Sequence, residues 1–322
     1  MTLFPIERPE RLSDPDGEVR RVAVLELEDA SIAPEDITAL LIECLRDTHP
    51  AVRLEAARAL EGHETAEATQ ALLAALEDGD ADVRAAAGAS LSEIRNPELG
   101  VWMLDRASSG SADARAAALR ALRALRRADA LPVAAQALSD PEAQVRREAV
   151  CVLGYLRVAE AMPLLARHAV ADPDPEVRRA AIGALGFDDG KGAEPALLGA
   201  LADTSWQVRE EAVATAGKLR LESAAAPLQE ALRDPYWQVT LAAARALGRL
   251  RYRPAVGPLC DLLREGLSNV RKEVAIALGE IGDPAAVPAL MQARQDSDPD
   301  VRKLAQIAIQ TLLSTLRAHG ET

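Results

Sequence analysis

Apolar residues in this chain return with a long, regular period. A valine stands at Val19, Val52, Val83, Val145, Val177, Val208, Val239, Val270 and Val301, and Ala114 fills the one gap, so that copies lie 33, 31, 31, 31, 32, 31, 31, 31 and 31 residues apart. With this residue as position zero, +4 is alanine in nine of ten copies, from Ala23 to Ala305, and Val274 is the exception. Positions +7 and +8 are mostly alanine then leucine, as in Ala59-Leu60, Ala184-Leu185 and Ala246-Leu247. At about 100° per residue, 0, +4, +7 and +8 share one stripe, so each copy predicts a helix buried along that stripe. We call these the B helices.

Shorter A helices are predicted between them, at roughly 35–46, 66–77, 98–107, 129–138, 160–170, 193–202, 224–233, 255–265 and 285–294. Pro163, Pro195, Pro227, Pro258 and Pro288 fall near A-helix starts, where the missing N–H costs nothing. Gly154, Gly186, Gly217, Gly248 and Gly279 are expected to end B helices. Short links make neighbours antiparallel, and a fixed period in this range signals a solenoid of helix pairs. The expected organisation is an irregular cap over 1–13, one repeat array over 14–313 and a polar tail over 314–322. The first helix is expected at Gly17–Glu28 and the last from Pro299 to Leu316.

The polar positions repeat too. Position +1 is arginine in nine of ten copies, with Thr240 the exception, and −5 is aspartate in eight, with Ser109 and Glu265 the exceptions. A planar guanidinium binds a carboxylate two bonds at a time, so the pattern predicts a ladder from each B helix to loop aspartates of adjacent units. The alternative is that these arginines bind an anion, but a residue present in nearly every unit points to structure.

The pattern D-x-x-x-x-V-R-x-x-A-x-x-A-L-G, clearest at Asp172–Gly186, resembles the HEAT-like repeat of the phycobilisome-lyase type over Asp14 to about Leu313. The resemblance implies an all-α, right-handed α-solenoid of about ten helix pairs, with B helices lining a concave face. That family includes bilin lyases, cofactor-maturation factors and adaptors, so the fold leaves the function open.

Composition narrows the chemistry. The net charge is −13, a poor start for a phosphate binder, so no nucleic-acid partner is expected. Cys44, Cys151 and Cys260 are far apart and odd in number, which suits a reducing, cytoplasmic setting. No apolar run is long enough to span a membrane, and residues 1–11 have no apolar core of a secretory signal. HEAT-like di-iron hydroxylases use several His-Glu pairs, whereas only His63-Glu64 stands here, at a repeat junction. No Walker, G-x-S-x-G or H-E-x-x-H motif is present. No catalytic residue, metal or cofactor is therefore expected.

What varies between units is positions −1, +2, +3, +6 and +10, read as the face opposite the packed stripe. From these positions the expected partner-binding residues are Arg147, Glu148, Cys151, Tyr155, Arg179, Gly183, Phe187, Glu210, Leu241, Arg245 and Arg249. Ala85, Ala86, Ala89, Ala116 and Ala117 are read as a shallow apolar trough on the same face, or as helix-forming residues on a solvated one. Trp206 and Trp237 share position −2 one repeat apart, and Tyr236 adjoins Trp237. They are an anchor for a partner, since such residues dominate hot spots, or they cover each other. Arg249, Arg251 and Arg253 around Tyr252 are the best local candidate for an acidic partner group. The expected function is a non-catalytic scaffold, adaptor or assembly factor that binds a helix or extended segment of another protein in the concave groove. The alternative is a lyase-like or cofactor-loading protein for a tetrapyrrole-bearing client, with Cys151 and Tyr155 as the place to look.

Overall fold

A computed structural model describes residues 9–27, 32–187 and 192–320, with side chains as far as Ser314. The described residues form helices, turns and loops, with no strand. The chain divides into two compact units, Met1–Ala161 and Met162–Thr322.

The first unit holds α1 (Gly17–Leu25), α2 (Pro34–Cys44), α3 (Pro50–Ala59), α4 (Ala66–Ala75), α5 (Ala81–Glu93), α6 (Gly100–Ser108), α7 (Ala112–Leu125), α8 (Leu131–Ala137) and α9 (Ala143–Leu156). The second holds α10 (Met162–Ala171), α11 (Pro175–Leu185), α12 (Glu194–Ala200), α13 (Trp206–Leu219), α14 (Ala225–Glu230), α15 (Trp237–Leu250), α16 (Val256–Glu265), α17 (Ser268–Ile281), α18 (Val287–Ala293) and α19 (Pro299–Gly320). In each unit the odd-numbered B helices pack one on the next, and each even-numbered A helix packs on the B helix that follows it. This is an all-α solenoid of paired helices.

The stripe seen in the sequence is the core. Every zero position from Val52 to Val301 is buried, with Val19 half-buried, and every +4 residue from Ala23 to Ala305 is buried. Burial of each valine or leucine contributes roughly 1.5–3 kcal/mol. Helix starts follow the capping chemistry. Asp80 and Asp174 accept from the N–H groups two and three residues on, and Pro50, Pro175 and Pro299 begin their helices.

Helix ends differ from expectation. Gly154, Gly217, Gly248 and Gly279 lie inside B helices, and of the five only Gly186 stands at a C-cap. A Cβ on Gly217 would sit 2.6 Å from the Cβ of Ala246, and one on Gly279 would sit 3.1 Å from the Cβ of Ala308. These glycines let consecutive B helices touch. The left-handed C-cap falls three residues later, on Arg126, Arg157, Arg220 and Arg251, and on Gly282 in the next repeat. At the termini, a single 3₁₀ turn spans Glu10–Ser13, α1 ends at Leu25, and α19 continues past Leu316 to Gly320. Residues 1–8, Glu28 and the last two tail positions, Glu321 and Thr322, lie outside the described residues.

The arginine ladder is present. Arg178 donates from Nε and Nη2 to the two carboxylate oxygens of Asp203, each at 2.8 Å, while its Nη1 donates to its own loop carbonyl at Asp172, 2.9 Å away. Arg20–Asp47, Arg53–Asp78, Arg115–Asp140, Arg209–Asp234 and Arg271–Asp296 repeat that two-bond pairing. Each aspartate also accepts a backbone N–H two residues on, as Asp203 does from Ser205 at 2.8 Å. Thr240, in place of an arginine, donates to the same kind of carbonyl, Asp234, at 3.3 Å. Its would-be partner position is Glu265, so guanidinium and aspartate are lost together at this joint.

Candidate functional site

The outward stripe of the B helices is narrower than the helix wheel suggested. Positions +6 and +10 are mostly exposed, +2 is mostly half-buried, and +3 turns into the seam between consecutive B helices. Glu148 and Ala242 are accordingly buried, and so are Ala86, Ala117 and, at +2, Ala116. The exposed trough read there shrinks to Ala85 and Ala89. The wheel treats a helix alone, whereas within each unit a B helix that is not at the unit's end is covered by an A helix and by a B helix on either side.

In the first unit, Arg147, Cys151 and Tyr155 run along α9, with Tyr155 exposed and the Arg126 guanidinium 5.2 Å over its ring. Glu148 departs from its expected surface role. It accepts from Arg120 at 2.9 Å, and Arg123 and Arg147 also approach it. Burial pushes the Cys151 thiol above its usual range, with the Glu148 charge adding to it.

In the second unit, Arg179 and Gly183 lie on α11, and Phe187 follows it with the Lys218 ammonium 4.6 Å over its ring. Arg179 pairs with Glu176 at 2.7 Å. Gly183 makes room for Glu211, whose Oε1 would meet an added Cβ at 3.1 Å. Burial raises the Glu211 carboxyl above its ordinary range, although the Arg179 charge opposes the rise. Glu210 and Leu241 are half-buried, Leu241 against the core. Arg245 is held by Glu273 through two bonds of 2.9 and 2.8 Å, and Arg249 is exposed. This Arg245–Glu273 strut crosses the α15–α17 joint, where Thr240 and Glu265 stand in place of a ladder pair.

The aromatics form a separate edge. Trp206 stacks on Tyr236, with centroids 5.4 Å apart and planes 14° apart, and it packs against the core. Its ring partner is thus Tyr236 and not Trp237. Arg209 lies 5.8 Å over the Tyr236 ring. Trp237 and Tyr236 stay 41% and 45% exposed. Trp237 opens α15, and Arg245 lies eight residues on, about 12 Å along the axis at 1.5 Å per residue. The stripe and the edge therefore offer two contact areas on one helix.

His63 meets the Thr38 hydroxyl at 2.7 Å, and Glu64 accepts the backbone N–H groups of Arg95 and Asn96. Among the described residues no three His, Cys, Asp or Glu side chains could share a metal ion. Among the described residues no helix is long and apolar enough to cross a membrane.

A family model described as HEAT repeats matches residues 9–92, 101–173, 163–244 and 227–310. The chain belongs to the HEAT-repeat family. No match was found among curated proteins. Solved structures similar to this HEAT-repeat chain include an engineered protein, at 21% identity, covering 94% of this chain and 97% of that one with a TM-score of 0.53. Kap95p, in a structure concerned with its binding to RanGDP, is 16% identical over 94% of this chain and 48% of its own, with a TM-score of 0.61. YibA of E. coli is 18% identical over 93% of this chain and 97% of its own, with a TM-score of 0.54. These likenesses concern the fold.

Residues missed in the sequence lie further along this HEAT-repeat array. Ile276 and Ile307 occupy +6 on α17 and α19, where the neighbouring units carry Ala214 and Arg245, and both are exposed. Their spacing of one repeat was the signal that could have found them.

Proposed function

We propose that this HEAT-repeat protein is a non-catalytic adaptor or assembly factor that binds a partner protein along the outward B-helix face and the aromatic edge of its second unit, in α11 to α15. The observation that carries the reading is the exposed set Phe187, Tyr236 and Trp237 in a chain with only 2% aromatic residues. Large aromatic side chains left in water beside cationic groups are what anchors a partner. Kap95p, whose structure concerns RanGDP binding, is a precedent for a protein partner on this fold. The groove-bound helix or extended segment belongs to the same reading, as does a reducing, cytoplasmic setting, which the three thiols favour. The phycobilisome-lyase type rests on the repeat pattern alone. A client-loading role would need Cys151 as a thiolate, and its raised thiol works against that.

The test is affinity capture from the source cells with wild-type chain and with Trp237→Ala combined with Phe187→Ala. Both side chains are exposed, so circular dichroism should be unchanged. The partner enriched by wild type should fall at least about tenfold with the variant, as loss of a hot-spot pair entails. Undiminished capture would refute the proposed surface.

A further inference from the structure

A groove of about 520 Å³ opens between α17 and α19, beside the turn that follows α15. Its floor is made of residues with little or no side chain, Gly279 and Ala308, and its walls are Ile276, Leu304 and Ile307. Arg251 and Arg253 frame one end. Both are exposed, and neither has an ion pair or side-chain hydrogen bond among the described residues. Arg249, exposed at the last-but-one residue of α15, likewise has no ion pair or side-chain hydrogen bond among the described residues. Nearby cations are occupied: Arg271 holds Asp296, Arg245 holds Glu273, and Lys272 lies 3.0 and 3.1 Å from Asp298 and Asp300. The one carboxylate in the lining is Glu280, and it leans toward α15, where its Oε2 would meet a Cβ on Gly248 at 2.6 Å.

We propose that this groove docks a short acidic segment of another protein, with leucine or isoleucine on Ile276 and Ile307 and carboxylates on Arg251 and Arg253. Unpaired guanidinium groups in a chain of net charge −13 call for a carboxylate-bearing partner, and Arg offers it a two-bond fork. A bare anion or a nucleic-acid backbone would use the arginines and leave the two isoleucines in water. An aliphatic, acidic segment satisfies both. The surface is separate from the aromatic edge, so it stands whether or not that edge binds.

Random dodecapeptides displayed on phage and panned over the full chain test this. The expected selection is enriched in Asp or Glu beside Leu or Ile. A selected peptide, synthesised with a fluorescent label, should lose at least about tenfold in affinity for R251E combined with R253E, and independently for Ile307→Asp. Its binding should weaken with added salt, as screening of exposed charges requires. Trp237→Ala with Phe187→Ala should bind it as wild type does, which separates this result from the fate of the aromatic edge. No enrichment, enrichment of basic or purely polar peptides, or equal binding to R251E/R253E would overturn the proposal. So would sedimentation showing a self-associating chain that R251E/R253E makes monomeric, since the occupant would then be a second copy.

Discussion

At the scale of residues, each rung of the ladder joins a guanidinium fork, a carboxylate and two loop backbones. Asp203 takes two bonds from Arg178 and one from the Ser205 N–H, all away from most solvent. Asp203→Ala leaves Arg178 without its carboxylate and should cost about 2 kcal/mol, as hydrogen bonds to charged groups do. The urea midpoint will measure it. The ladder also sets a pH limit. Hydrogen bonds from Arg20, Arg53 and Arg271 hold the Asp47, Asp78 and Asp296 carboxyls below their usual range, against the opposing effect of burial. At Asp140, Asp203 and Asp234 burial acts most strongly and pushes upward, but the arginine and backbone bonds together still bring the carboxyl down. A depressed carboxyl stabilises the fold fully above its unfolded value, near pH 4, and loses that contribution as pH falls through the lower folded value. Stability should therefore be flat in this term above about pH 5 and decline below about pH 4. A urea midpoint that rises on acidification below that range would contradict the assignment.

Rungs were legible in the sequence because nine of ten copies repeat the arginine and eight the aspartate, and no single copy would have sufficed. Glu148 was not legible. Its position looks outward on an isolated wheel, and its burial depends on Arg120 arriving from the previous B helix.

At the scale of helices, the contrast is between seam and cap. The seam glycines were read as stops because glycine after an apolar stretch commonly is one. Their real constraint is lateral, since Gly217 faces the Cα of Ala246 at 2.8 Å from where a Cβ would stand. Gly217→Ala gains helix propensity of about 1 kcal/mol, yet forcing the helices apart should outweigh it and leave a net loss of about 1–3 kcal/mol. The cap makes the opposite prediction. Arg220 is exposed with φ 52°, a left-handed conformation that favours glycine, so Arg220→Gly should raise stability by roughly 0.5–1 kcal/mol. Chemical denaturation of both variants beside wild type checks the two signs together. The stacking of Trp206 on Tyr236 was equally hidden, because a shared repeat position paired the two tryptophans on paper and the chain set their rings apart.

At the scale of the whole molecule, order comes from neighbours. In the first unit Arg53 serves two rungs, donating to the Asp78 carboxylate and to the Asp47 carbonyl. The Asp47 carboxylate, which accepts the His49 N–H, shapes the loop that presents this carbonyl, so removing Asp47 and Asp78 together should depart from the sum of the single changes by more than about 0.5 kcal/mol, whereas Asp47 and Asp140, which have no arginine in common, should add within that figure. Double-mutant cycles in urea decide this. The all-α array was readable from periodicity because such proteins are a sum of like units. The proposed binding surface was only partly readable, because what a partner would meet depends on which side chains are already engaged. Arg245 was expected to be available and is bound to Glu273, while Arg249, Arg251 and Arg253 have no ion pair among the described residues.

Each regular repeat carries a plug, the arginine, and a socket, the aspartate, and any such repeat can follow any other. A gene encoding this chain can therefore lengthen or shorten by whole units and still make a closed joint. Ser109 leaves one step without a socket, and the step from Thr240 to Glu265 has neither plug nor socket. A regular unit duplicated into that step would present an aspartate to a threonine on one side and an arginine to a glutamate in a differently shaped loop on the other. Growth of the array is open at the regular joints and resisted at that one.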